Sequence, residues 1–295
     1  MECIETANEI GLKNILYLTD FSEPADAALP FATAIAREYG ARIYAFHIIL
    51  PDIYTCMAPE FGDVVASGLE EAAGAKMQRL ASRLAGVPHE TGIEWGPNVW
   101  DVLRRVVEKD DIDLVVLGTR GRTGMQKFLL GSVAEEVWRR SPVPVLTIGP
   151  LVARIRPIER FNSVLFATDF TTQSLAGLPY AVSMAREYRA HLVLLHVIRQ
   201  FKREEILGEV SAAEVIRQMS QLLPKDANLG SRPEFMVKYG EPAEHIIEAA
   251  GQCAADLIVL GIHRGDRLGI ATHVEGTIAH EVVVKASCPV LTVRG

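Results

Sequence analysis

Cysteine is scarce in this chain: Cys3, Cys56, Cys253 and Cys288 are the four among 295 residues. None forms a Cys-x2-Cys pair, and none stands with histidines at zinc spacing, which argues against a disulfide scaffold or a structural metal. Cys288 lies in an apolar strand-like run and Cys253 in a helix-like one, so both read as small buried hydrophobes. Positive charge is also in deficit. Lys and Arg number 30 against 37 Asp and Glu, for a formal net charge of −7. A general nucleic-acid binder carries a basic surplus, so no nucleic-acid partner is expected. No run approaches the ~18–20 apolar residues that span a bilayer. The start, "MECIETANEIGLKN", lacks the cationic and apolar regions of a signal peptide. No membrane partner is expected, and a cytoplasmic location is. Two nucleotide fingerprints are missing as well: the Gly-Lys-Ser/Thr of a Walker A loop and the dinucleotide GxGxxG.

What is present is repetition. "NILYLTDFSEPADAALPFATAIAREYGARIYAFHII" (Asn14–Ile49) aligns without a gap on "SVLFATDFTTQSLAGLPYAVSMAREYRAHLVLLHVI" (Ser163–Ile198). Further on, "DLVVLGTRG" answers "DLIVLGIHRG", and "GSVAEEVWRRSPVPVLTI" answers "GTIAHEVVVKASCPVLTV". The period is too long for a solenoid and indicates a domain duplication. Two domains are expected, 1–150 and 151–295, joined near "GPLVARIRPIERF", where prolines and charges interrupt the pattern.

Each unit alternates strand and helix. "EPADAALPFATAIAREYG" places Ala28, Phe31, Ile35 and Tyr39 on one face of a single helix ending at Gly40. Glu70–Leu84 reads as a helix with Ala73, Met77, Leu80 and Leu84 inward. "NVWDVLRRVVEKDD" reads as a helix with Val99, Leu103 and Val106 inward and Asn98 as its cap. The unbroken apolar run "DLVVLG" suits a parallel strand covered on both faces. The fold class is therefore α/β: two tandem, open, Rossmann-like sheets of five parallel strands with helices on both sides. Between the second strand and the Glu70 helix, Leu50–Gly68 reads as a lid, a partner surface or a space-filling loop.

In open parallel sheets, ligands sit outside the carboxyl ends of the strands, where the strand order reverses. The loops to read begin near Asp20, Ile48 and Gly118. Asp20 could accept hydrogen bonds from ribose hydroxyls or an adenine amine, or it could close a local Asx turn. From Gly118 the spacing is Gly118-x2-Gly121-x9-Gly131-Ser132. Glycines let the main chain approach an anion, and the N–H groups of Ser132 and Val133 open a helix whose N-terminus favours one. Arg120, Arg122 and Lys127 add positive charge. The same letters also admit a plain strand–helix turn, with "SVAE" from Ser132 to Glu135 as a capping box.

These motifs, "ILYLTDFSE", "FHII" and "LGTRGRTGMQKFLLGSVAEEV", closely resemble those of the universal stress protein family in its tandem form. The family's fold resembles adenine nucleotide alpha-hydrolases, and its ATP-binding branch carries Gly-x2-Gly-x9-Gly-Ser/Thr, which the first unit matches in full. The resemblance implies ATP as ligand. Asp20 would meet the adenosine moiety, and the backbone near Leu18 and Ile48 would hold the adenine. Leu117 and Gly118 would line the nucleotide, and Arg120, Gly121, Gly131, Ser132 and Val133 would lie at the phosphates. Mg2+ or Mn2+ would ride on the phosphates. It also implies pairing of the two domains about a pseudo-two-fold axis, with a further homodimer possible and a protein partner unknown.

The second unit keeps Asp169, Val197 and Gly261 but departs at Gly265, Gly276 and Thr277, where both intervals grow by one residue. Glu275 precedes Gly276, where the first unit has Leu130. A carboxylate there would repel phosphate, so ATP binding is expected to be weaker in this unit. The expected role is a nucleotide-dependent sensor or regulator in a stress response, not an enzyme beyond slow ATP hydrolysis. A scaffold that needs no nucleotide is the alternative.

Overall fold

The end of each first strand is fastened by a carboxylate from far along the chain. In the computed structural model, Asp113 Oδ2 accepts from the backbone N–H groups of Lys13 at 2.7 Å and Asn14 at 2.9 Å. Asp256 Oδ2 does the same for Asn162 and Ser163, at 2.6 and 3.3 Å. The structure describes residues 10–50, 59–119, 131–152, 160–199, 211–224, 227–262 and 277–295, with side chains for all of these except 59–65 and 132. The chain divides into two units, Gly11–Glu159 and Arg160–Gly295, the latter also taking Ile10, whose carbonyl accepts from Ser183 Oγ.

In the first unit the elements run β1 (Asn14–Leu18), α1 (Glu23–Asp26), α2 (Leu29–Tyr39), β2 (Arg42–Ile49), α3 (Pro59–Arg83), β3 (His89–Trp95), α4 (Val99–Lys109), β4 (Leu114–Gly118), α5 (Ser132–Arg140) and β5 (Val145–Ile148). The strands stand in the order β3-β2-β1-β4-β5, every printed pairing parallel. The second unit continues with β6 (Ser163–Ala167), α6 (Thr172–Leu175), α7 (Leu178–Glu187), β7 (His191–Ile198), α8 (Ala212–Leu222), β8 (Glu234–Tyr239), α9 (Pro242–Gln252), β9 (Leu257–Ile262), α10 (Ile278–Lys285) and β10 (Val290–Arg294). Its order is β10-β9-β6-β7-β8, again parallel. Central strands β1, β4, β6 and β9 are buried almost end to end, as strands covered on both faces must be. Among the described residues no helix is long and apolar enough to cross a membrane.

Most of the expected helix faces are buried: Ala73, Met77, Leu80 and Leu84 on or just after α3, and Val99, Leu103 and Val106 on α4. Asn98 caps α4, its side chain accepting from Asp101 N at 2.9 Å. Three expectations are corrected. The single helix after β1 is two, α1 and α2, because Pro30 has no N–H to offer the Asp26 carbonyl; the second helix restarts with the proline in its first turn. The same break recurs at Pro179. Much of Leu50–Gly68 is not a loop: α3 already begins at Pro59, and 51–58 lie outside the described residues. Finally, α5 has Gly131 as its N-cap and Ser132 as its first helical residue, so the cap falls one residue before the serine expected to supply it.

One close approach shapes each unit. A Cβ on Gly118 would sit 2.3 Å from the Pro24 carbonyl oxygen and 3.1 Å from Ala25 Cα. A Cβ on Gly261 would sit 2.1 Å from Gln173 O and 2.4 Å from Ser174 O. The obstructing atoms are backbone, which cannot swing aside. Overpacking of this kind costs roughly 1–3 kcal/mol. Gly118→Ala is therefore expected to lower the melting temperature by several degrees with no ligand present; an unchanged melting curve would refute the contact. Burial, with Asp256 and Cys253 nearby, pushes the Cys288 thiol up to about 12. Because the thiolate is the reactive form, mass-mapped alkylation at pH 8 should leave Cys288 unmodified until the protein is unfolded.

Candidate functional site

The strand order reverses between β1 and β4. Loops leaving the two strands diverge there, and a crevice opens at their carboxyl ends. Leu18, Thr19 and Asp20 line it from β1, Phe46, His47 and Ile48 from β2, Leu117, Gly118 and Thr119 from β4, and Gly131, Val133 and Ala134 from the start of α5. Of the residues singled out from sequence, Leu18, Asp20, Ile48, Leu117, Gly118, Gly131 and Val133 thus share one wall-to-wall space. Ser132 is the first residue of α5. Arg120 and Gly121 lie outside the described residues, as do Arg122 and Lys127.

The β1 wall is a tight turn held by side chains. Phe21 takes φ +61°, which a bulky residue adopts only under constraint. The constraint is visible. Phe21 N donates to Thr19 Oγ1 at 2.9 Å, and Ser22 N donates to Asp20 Oδ1 at 3.0 Å. Asp20 therefore does close the Asx turn foreseen as the local reading, while also facing the crevice. His47 fixes the turn from β2. Its Nδ1 lies 2.8 Å from Thr19 O, and its ring meets Phe21 at 4.6 Å between centroids. A carbonyl only accepts, so Nδ1 is the donor. Lys76 Nζ stands 5.5 Å from the Phe21 ring centroid, within cation–π range.

The β4 wall is different in kind. Thr119 is 2% exposed, and its Oγ1 is buried with no hydrogen-bond partner. Its carbonyl accepts from Gly131 N at 2.7 Å, which ties the mouth of α5 to the end of β4. That bond also uses up the Gly131 N–H, so the glycine positions the helix rather than donating into the crevice. As N-cap it brings no side chain to accept from the first turn of α5.

Little in the sequence marks Thr119 or His47 as a site residue. Their signals were faint: the histidine repeats in both units, and Thr119 is replaced by Ile262 in the second.

The second unit copies the β1 wall closely. Phe170 has φ +64° and donates from N to Thr168 Oγ1 at 3.0 Å. His196 Nδ1 lies 2.8 Å from Thr168 O, with its ring 4.8 Å from Phe170. Asp169 Oδ1 accepts from Thr171 N at 3.0 Å and from the Thr171 hydroxyl at 2.6 Å. Burial alone would raise the Asp169 carboxyl, but hydrogen bonds from Thr171 and Ser174 outweigh it and hold it below the usual carboxylate range. Val197 is half-buried on β7, and Gly261 lies within β9. Thr277 is the N-cap of α10, its Oγ1 accepting from His280 N at 3.2 Å. Gly265 and Gly276 lie outside the described residues, with His263 and His273.

With this geometry in hand, comparison with known proteins is informative. The model of the Universal stress protein family matches residues 11–149 and again 160–294. A universal stress protein of Mycolicibacterium smegmatis is 25% identical, covering 99% of both chains. One from Synechocystis sp. is 27% identical over 96% of this chain and 100% of its own. The crystal structure of a universal stress protein from Archaeoglobus fulgidus shares the fold, with a TM-score of 0.69 at 21% identity over 95% of this chain and 98% of the other. The chain belongs to the universal stress protein family and carries its domain twice in tandem.

Proposed function

We propose that the first unit binds ATP in the crevice between β1 and β4, and that occupancy rather than turnover is its working signal. The protein then acts as a nucleotide-dependent regulator in a stress response, read out by a protein partner. The observation that carries this reading is the chemistry of the two walls. On the β1 side, the Asp20 carboxylate offers acceptor oxygens to a nucleoside. On the β4 side, a buried hydroxyl without a partner stands beside a helix N-terminus, where anions gain ~0.3–1 kcal/mol or more. The glycine spacing of the sequence supports the same assignment. Among the described residues no three His, Cys, Asp or Glu side chains converge to hold a metal. The donor set does not fit a resident ion, so Mg2+ or Mn2+ is assigned to the nucleotide, on its own phosphates.

Regulation is preferred over catalysis because, among the described residues, the β4 wall is poor in bases. Val133 and Ala134 are apolar, and Glu135 is engaged with Arg139 at 3.6 Å. A scaffold role without nucleotide has one observation in its favour: the approach of Pro24 accounts for Gly118 without any ligand.

Two measurements decide. Saturating ATP, at ~100 times its Kd, should stabilise the protein by about 2.7 kcal/mol, read as a rise in melting temperature. Asp20→Asn keeps an oxygen for the Ser22 N–H but removes the charge. It should weaken ATP about tenfold while leaving the ligand-free melting temperature nearly unchanged. No ATP-dependent shift in the native protein would favour the scaffold, and turnover of several per second would overturn the regulator.

A further inference from the structure

The turn after the first strand is held by matching Thr, Asp and His bonds in the two units, while the ends of β4 and β9 differ. We propose that the chain holds one nucleotide: the Thr119 hydroxyl admits phosphate to the first unit, and Ile262 in its place excludes it from the second, where the Thr277 cap competes for one N–H of the helix start. This rests on the ATP reading of the first unit.

The first difference lies one residue beyond the strand-ending glycine. Thr119 buries a hydroxyl oxygen with no partner in the crevice wall. Leaving such a group unsatisfied costs ~1–3 kcal/mol, which a hydrogen bond to a phosphate oxygen recovers. At the same place the second unit has Ile262, which has no hydrogen bond to give. It is also drawn into the sheet: Ile262 is the last residue of β9, registers with Arg294, and accepts from Gly295 N at 3.3 Å.

The second difference lies at the helix. An anion at a helix N-terminus is bound by the N–H groups of the first turn. In α10 the Thr277 hydroxyl oxygen already accepts from His280 N. A cap of this kind is worth ~0.5–2 kcal/mol, and phosphate would have to displace it. In α5 the cap is Gly131, which has no competing acceptor. The sequence adds a third difference outside the described residues. Glu275 precedes Gly276 where the first unit has Leu130, and its charge opposes phosphate.

Equilibrium dialysis of the full chain against radiolabelled ATP with Mg2+ reads the stoichiometry directly. One ATP per chain is expected, with its Kd raised about tenfold by Asp20→Asn. Adenosine is titrated in parallel. Thr119→Ile, which imports the residue of the second unit, should reduce the preference for ATP over adenosine at least tenfold with adenosine affinity unchanged. Thr119→Ser should restore it. Two ATP per chain, one ATP whose Kd Asp20→Asn leaves unchanged, or an unchanged preference in Thr119→Ile would each overturn the proposal. No ATP bound at all would remove the nucleotide reading itself and this inference with it, whereas two per chain would remove only the inference. The stoichiometry needs no variant, so it stands even if the isoleucine substitution misfolds.

Discussion

Everything at the functional end of each unit depends on one steric fact: the backbone of the first short helix lies against the last residue of the fourth strand. There is no room for a methyl group between Gly118 and Pro24, or between Gly261 and Gln173. Beside this approach lie the turns in which Phe21 and Phe170 take positive φ and Thr and Asp side chains accept from consecutive N–H groups. The His47 and His196 rings then close the arrangement from the second strand. A glycine in this position is architectural first, and a ligand site is built around it.

The same architecture is held by different bonds in the two units. In the first, the buried Tyr17 hydroxyl donates to Ala25 O at 2.9 Å, anchoring α1 to β1. The second has Phe166 there, with no hydroxyl, and Ser174 in place of Ala25 instead bonds Thr168 at 2.9 Å. One polar anchor has replaced another a few ångströms away, so that neither unit leaves its first helix unfastened. Burial holds the Tyr17 phenol well above its usual range, in keeping with a neutral structural donor.

Much of this was legible in the letters. Alternating apolar runs and helical spacing located the strands and most helices, and Asn98 announced its cap, because those features are local. The general rule for open sheets then pointed to the strand ends near Asp20, Ile48 and Gly118, and the family resemblance added Leu18 and Leu117; all five line the crevice. The misses have physical causes. The break at Pro30 was hidden because the apolar face continues across it. The early start of α3 was hidden by Gly62 and Gly68, poor helix formers that tertiary packing overrides. The cap of α5 moved by one residue because Gly131 N is claimed by Thr119 O, a contact set by β4 rather than by the helix. Thr119 itself was invisible because a threonine after a strand carries no sign of whether its hydroxyl finds a partner.

The carboxylates of Asp113 and Asp256 lie at the far end of each sheet, where β1 and β6 begin. They fix strand register from the side on which no ligand sits. The crevice end is thus relieved of holding the sheet together and is free to mutate. A duplicated copy can surrender its chemistry and still fold in the same register, so the tandem arrangement permits a division of labour at little risk to either half.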